Sequence, residues 1–155
     1  DVKGFADWEK VHHVVIIPTY KEPLYILERT FSSLANQTLP TKLLTVVLAM
    51  EIREDKEQRE EKVRALKKQF GGKFGNFLVT VHELVPGEAA GKSSNERYAA
   101  LEAKRILISK GGMDINYMTV TSCDADHLFH HKHYAVLTYK FFYYSIKLLP
   151  KSINI

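Results

Sequence analysis

The sequence has a single cysteine, Cys123. One thiol excludes an internal disulfide and a Cys-rich zinc site, and it is compatible with a reducing compartment. A glycine-rich phosphate loop is missing as well. The nearest approach is Gly91-Lys92-Ser93, but Pro86 stands where the first glycine of a Gly-x-x-x-x-Gly-Lys-Ser/Thr frame belongs, so a Walker loop is excluded. No apolar run is long enough to cross a bilayer. The segment from His133 to Leu149 carries Tyr134, Leu137, Phe141, Tyr144 and Leu148 at helical intervals, yet Lys140 and Lys147 interrupt it. Charge of one sign does not dominate either. With 22 Lys and Arg against 18 Asp and Glu, the formal charge is only +4, and nucleic acid is not an expected partner. No signal peptide, internal repeat or low-complexity tract is visible. The chain starts on Asp1 and ends on Lys151-Ser152-Ile153-Asn154-Ile155 without a closing motif, so it reads as a piece of something longer.

What is present suffices for one domain over residues 1–155, since 45% hydrophobic and 11% aromatic residues can build a core. Residues 1–12, with Phe5 and Trp8, have no period and read as a lead-in resting against the body. His13-Val14-Val15-Ile16-Ile17, closed by Pro18, is a continuous β-branched run of the kind buried on both faces of a sheet. A polar turn follows. Leu24, Leu27, Phe31, Leu34 and Ala35 then recur at helical spacing, with Pro23 suited to a first helical turn. Asn36 to Pro40 break that helix, and Leu43 to Ala49 form a second buried strand ending at Met50-Glu51.

From Glu54 to Phe70 the chain is densely charged. Val63, Leu66 and Phe70 supply its apolar stripe before Gly71-Gly72, which predicts a solvated outer helix. Phe77 to Val81 read as a third strand, nearer an edge. Ser93 and Glu96 stand at capping-box spacing, and Ala99, Ala100, Ala103, Ile106 and Leu107 give that helix a face for close packing up to Gly111-Gly112. Tyr117 to Ser122 form strand four. The alternation predicts an α/β fold, a mostly parallel sheet with helices on both faces. In such sheets ligands sit beyond the carboxyl ends of the strands. Four polar segments fall at those ends: Thr19 to Glu22, Met50 to Glu54, Gly87 to Lys92, and Asp124 to Asp126. One composite site is expected there.

Strand four stops at two aspartates one residue apart. If extended geometry persists, Asp124 and Asp126 point the same way and can share a hard divalent cation that also holds a diphosphate. The alternative is a turn in which both aspartates cap Leu128 and the following backbone. Lys92, before a helix, could bring a cation near an anion or be merely solvated. His127, His130, His131 and His133 match no closed ligand spacing, so a zinc site is not expected; a single histidine beside Asp126 fits better. Cys123 has no paired base and reads as packing. The aromatics Tyr139, Phe141, Phe142, Tyr143 and Tyr144 read as core.

Val15-Ile16-Ile17-Pro18-Thr19-Tyr20-Lys21-Glu22, Gly91-Lys92-Ser93-Ser94-Asn95 and Cys123-Asp124-Ala125-Asp126 occur in an order that resembles family 2 glycosyltransferases of the GT-A fold. The resemblance implies the Rossmann-like nucleotide-binding half of such a fold, a UDP- or GDP-sugar donor, and Mg²⁺ or Mn²⁺ as cofactor. It implies that Thr19, Tyr20 and Glu22 line a nucleoside pocket and that Lys92 approaches the diphosphate. Asp124 and Asp126 would serve the ribose-phosphate and the metal. Where the family commonly has a base-reading Asp at the end of strand two, this chain has Glu51. The implied parent is an inverting, metal-dependent transferase acting on a glycan or lipid hydroxyl. Its acceptor half and catalytic base would follow Asp126, so the isolated chain is expected to be inactive. The expected location is cytoplasmic, as the cytoplasmic domain of a membrane-associated parent. A nucleotidyltransferase-like domain and a non-catalytic interaction domain are the alternatives; the first would be expected to carry a glycine-rich loop after strand one.

Overall fold

The computed structural model describes residues 7–148, the side chains of 145–148 excepted. The first six residues of the expected lead-in, the side chain of Leu148, and Leu149 lie outside the described residues. Trp8, in a short 3₁₀ turn (Trp8–Lys10), packs against the core, as the lead-in reading required.

Four strands, β1 (His12–Thr19), β2 (Leu44–Glu51), β3 (Asn76–His82) and β4 (Met118–Ser122), form one sheet in the order β3-β2-β1-β4. Every pairing is parallel. All eight residues of β1 and all eight of β2 are buried, which is what their unbroken apolar runs demand. β3 is an edge strand, as expected. β1 continues through Pro18 to Thr19, so proline does not close it as the sequence suggested. The register continues to its end, with Pro18 opposite Ala49 and Thr19 opposite Met50.

Helices cover both faces. On one, Val15 and Ile17 of β1 and Val46 and Leu48 of β2 pack against α1 (Leu24–Ala35), α2 (Lys56–Phe70) and Tyr134 of α4 (His133–Leu148). Phe31 is the hub of this layer, its ring 5.5 Å from Phe70 and 5.1 Å from Phe77. On the other face Val14, Ile16, Val47 and Ala49 meet Ala99 and Ala103 of α3 (Lys92–Lys104), where small side chains allow a close approach. Ala100, assigned to the same face, is exposed, because it lies one residue off the stripe. Leu107 extends that stripe through a π-helical turn (Arg105–Lys110), and Gly112, with φ 69°, ends it.

Two helix starts differ from expectation. Asp55 caps α2 by accepting the Gln58 N–H at 3.0 Å, one residue later than the charged segment suggested. Glu54 thereby turns inward and pairs with Lys62, both buried. The helix is therefore not solvated all round outside its apolar stripe. Gly91 occupies the N-cap of α3 without a side-chain cap, so Ser93 and Glu96 form no capping box. Glu96 instead accepts the Ser122 hydroxyl at 2.5 Å and lies 3.6 Å from Lys92.

His13 is fully buried between β4 and α4. Its Nδ1 lies 2.6 Å from Thr119 Oγ1 and its Nε2 2.8 Å from Thr138 Oγ1. Burial, aided by neighbouring His12 and His133, pushes it from its ordinary 6.5 to about 4. The unfolded chain therefore binds a proton on this residue over that window and the folded chain does not. Stability is full above pH 6.5 and falls on acidification toward pH 4, by about 2–3 kcal/mol. His12, lowered by burial, acts in the same direction. Urea unfolding followed from pH 7 to pH 4.5 should show the loss, and His13→Gln should flatten the slope.

Candidate functional site

The exits of β1, β2 and β4 and the start of α3 meet at one cavity of about 600 Å³, and the reversal of strand order at β1 places it there. All seven residues singled out from the sequence line it: Thr19, Tyr20, Glu22, Glu51, Lys92, Asp124 and Asp126. Pro18, Ile26, Arg53, Gly91, Asn95 and Ala125 complete the wall.

After β1 the chain turns through Lys21, whose φ of 68° is unusual for a side chain with a Cβ. Glu22 shapes this turn. Its Oε2 accepts the Thr19 hydroxyl at 2.6 Å and the Tyr20 N–H. After β2, Glu51 is buried and its carboxylate accepts from Arg53, with Nε at 2.8 Å and Nη2 also in contact. The Arg53 guanidinium lies 4.7 Å from the Tyr20 ring centroid, a cation–π contact joining the two exits. Arg59 of α2 braces the loop by donating to the Ile52 carbonyl at 2.6 Å. Glu51 thus comes to the cavity already paired, a constraint invisible in the segment Ala49-Met50-Glu51.

The segment from Gly87 reaches the cavity only at its end, through Gly91 and Lys92. Glu88 turns away to His82, 3.1 Å distant, whose ring stacks on Tyr98. Asn95, 1% exposed, donates Nδ2 to the Ala49 carbonyl at 2.8 Å and fastens α3 to the end of β2. That carbonyl can only accept, so the amide orientation is fixed and the buried Oδ1 is left without a partner among the described residues.

Beyond β4 the strand pairing reaches Cys123 and the chain then turns at Ala125-Asp126, so the extended geometry that would aim both aspartates the same way is not kept. Cys123 and Ala125 are buried while Asp124 and Asp126 are exposed, and the Cys123 N–H still donates to the Ile16 carbonyl at 3.1 Å. A turn does follow, but backbone closes it: the His127 N–H donates to the Asp124 carbonyl at 3.1 Å. Thr30 of α1 pins the turn by donating to the Ala125 carbonyl at 2.6 Å. Neither aspartate side chain caps Leu128 or the backbone after it. Asp124 instead accepts from Lys92 at 2.5 Å, which holds its carboxyl below the usual range and raises the Lys92 ammonium. Asp126 has no hydrogen-bonded or ion-paired partner among the described residues.

Two exposed carboxylates lining one cavity offer hard oxygen donors, the kind that fit Mg²⁺ or Mn²⁺. Such ions are usually held by one or two carboxylates, with water and substrate phosphates completing the shell. Among the described residues no three His, Cys, Asp or Glu side chains gather into a metal set, so no histidine joins the aspartates. His127 packs edge-on against Phe129 at 4.4 Å, and Phe129 in turn meets His133 at 5.0 Å.

Arg53 is the main cavity residue that sequence reasoning passed over. It stands two residues after Glu51, the same spacing that drew attention to the aspartates, and that signal could have found it. Asn95 lay within a quoted motif but was given no role, because a buried amide is indistinguishable in sequence from a solvated one.

Cys123 is 7% exposed, and burial, reinforced by Asp124, pushes its thiol up to about 12. A disulfide reagent at pH 8 should therefore leave the native chain unmodified over the time in which it titrates one thiol per chain in denaturant. No family model matches this chain, and no curated protein matches it.

Proposed function

We propose that this chain is the donor-binding half of an inverting, metal-dependent glycosyltransferase similar to family 2. Its substrate would be a UDP- or GDP-sugar, and the intact parent would transfer the sugar to a glycan or lipid hydroxyl. The observation that carries the reading is convergence. Seven residues spread from Thr19 to Asp126, chosen from three short motifs and the end of β2, line one cavity at the carboxyl edge of a parallel sheet. An interaction domain would have no need to bring them together.

Each wall then has a task. The turn held by Glu22, with Tyr20 and Arg53, forms the nucleoside side, and aromatic and guanidinium planes suit a nucleobase. The opening of α3, which lacks a side-chain cap, offers backbone N–H groups beside Lys92 to a diphosphate. Asp124 and Asp126 would hold Mg²⁺ or Mn²⁺, and the bound ion would neutralise charge on the departing nucleoside diphosphate. No residue is assigned as the base that deprotonates the acceptor, and the chain alone is expected to bind donor without turnover. Among the described residues no helix is long and apolar enough to cross a membrane. A cytoplasmic place in a membrane-associated parent is part of the proposal.

Calorimetric titration with UDP- and GDP-sugars should give heat with Mn²⁺ and little without it. Asp126→Ala should weaken that metal-linked binding by about tenfold or more. Absence of metal-dependent heat for every nucleotide sugar would remove the reading.

A further inference from the structure

Lys92 has its ammonium 2.5 Å from Asp124 Oδ1 and 3.6 Å from Glu96, both distances short enough for ion pairs. It is the first residue of α3 and its side chain is half exposed, so the ammonium can move on its four-carbon stem without moving the helix. The cavity wall carries four carboxylates, Glu22, Glu51, Asp124 and Asp126, against two cations, Arg53 and Lys92. Arg53 is committed to Glu51 and Tyr20. Without a bound ion the wall is therefore net negative, which is unfavourable for a diphosphate. Lys92 is the cation that touches Asp124.

We propose that Lys92 is an internal stand-in for the divalent ion, occupying Asp124 in the ligand-free protein and handing it over when the metal arrives. The inference rests on the donor-site reading above. Metal and ammonium compete for one carboxylate oxygen, so metal entry releases Nζ toward the cavity, where a diphosphate can take it. Metal alone is then bound more weakly than the two aspartates would permit, and metal plus diphosphate more strongly. By linkage, each ligand favours the other by the same factor. A lysine that merely clamps the start of α3 to the aspartate turn would instead aid both ligands.

The test uses the whole 155-residue chain and opposite signs. Mn²⁺ binding is read from the resonance of the free ion, without nucleotide, for wild type, Lys92→Met, Asp126→Ala and Lys104→Met. Lys104 is exposed at the far end of α3 and controls for loss of one charge. UDP and GDP affinities are then read at saturating Mn²⁺. Lys92→Met should bind Mn²⁺ about three- to tenfold tighter and its nucleoside diphosphate about tenfold weaker, with Lys104→Met matching wild type.

Unchanged or weaker Mn²⁺ binding in Lys92→Met overturns the stand-in. Tighter Mn²⁺ with unchanged nucleotide affinity, or with no nucleotide bound by wild type, overturns the hand-over. If Asp126→Ala binds Mn²⁺ as wild type does, or wild type binds none, the donor-site reading falls and the inference with it. If Asp126→Ala weakens Mn²⁺ but Lys92→Met does not tighten it, the reading stands and only the inference falls.

Discussion

A parallel strand flanked by two others and covered on both faces has no side chain left for water; β1 has a neighbour on each side from His13 to Ile16 and is buried from His12 to Thr19. The rest of the structure follows from it. Its apolar residues must be covered, which commits α1, α2 and α4 to one face and α3 to the other. Two of its three polar residues, His12 and His13, are held by threonine hydroxyls, Thr45 of β2 for the first and Thr119 and Thr138 for the second, while Thr19 at its end donates to Glu22. Chemistry is thereby driven off the strand and onto its carboxyl end, where the loops after β1, β2 and β4 and the start of α3 meet.

The loops at that end are fixed by contacts from α1 and α2, of which only Ile26 of α1 reaches the cavity wall. Arg59 of α2 holds the carbonyl of Ile52, and Thr30 of α1 holds that of Ala125. Ser33 of α1 accepts the Phe129 N–H at 3.1 Å, and Gln37 donates to the His130 carbonyl at 3.0 Å, so the chain after the aspartates is tied along the length of α1. A site on loops normally trades precision for freedom. Here the helices supply the rigidity, and the cavity is set before any ligand arrives.

How much of this was legible depends on whether a feature is local. β1 and β2 could be read because burial on both faces leaves an uninterrupted apolar run. β3 could be placed at an edge because its pattern loosens. The aspartates could be placed at the carboxyl end of β4 because the β-branched run stops at Ser122, and of the two local readings it is the turn that forms, closed by backbone rather than by their side chains. Contacts made between distant residues left no such trace. Nothing near Glu54 indicates that it turns inward to Lys62 while Asp55 takes the cap, and the cap at Gly91 overrode the Ser93/Glu96 spacing because Glu96 had Ser122 and Lys92 nearer at hand. The pairing of Glu51 with Arg53 was local, at two residues, yet its importance comes from Tyr20, thirty-three residues earlier in the chain.

The state of each carboxylate bears on what the cavity can do. Glu22 is used in holding Thr19 and Tyr20, and Glu51 in holding Arg53. Both are elements of shape. Asp124 is partnered by an exposed, movable ammonium, and Asp126 has no partner among the described residues. Asp124 can change partners at little cost, since solvent weakens an exposed ion pair, and Asp126 has none to give up among the described residues. A general base must reach the hydroxyl it deprotonates with its lone pair free. In a donor site of this kind the two shape-holding carboxylates are not free, and the exposed Asp124, already paired with an ammonium, and Asp126 are those best suited to a cation. Under the proposed donor-site reading, such a wall would retain a nucleoside diphosphate, and the proton leaving an acceptor would be taken by a group outside it.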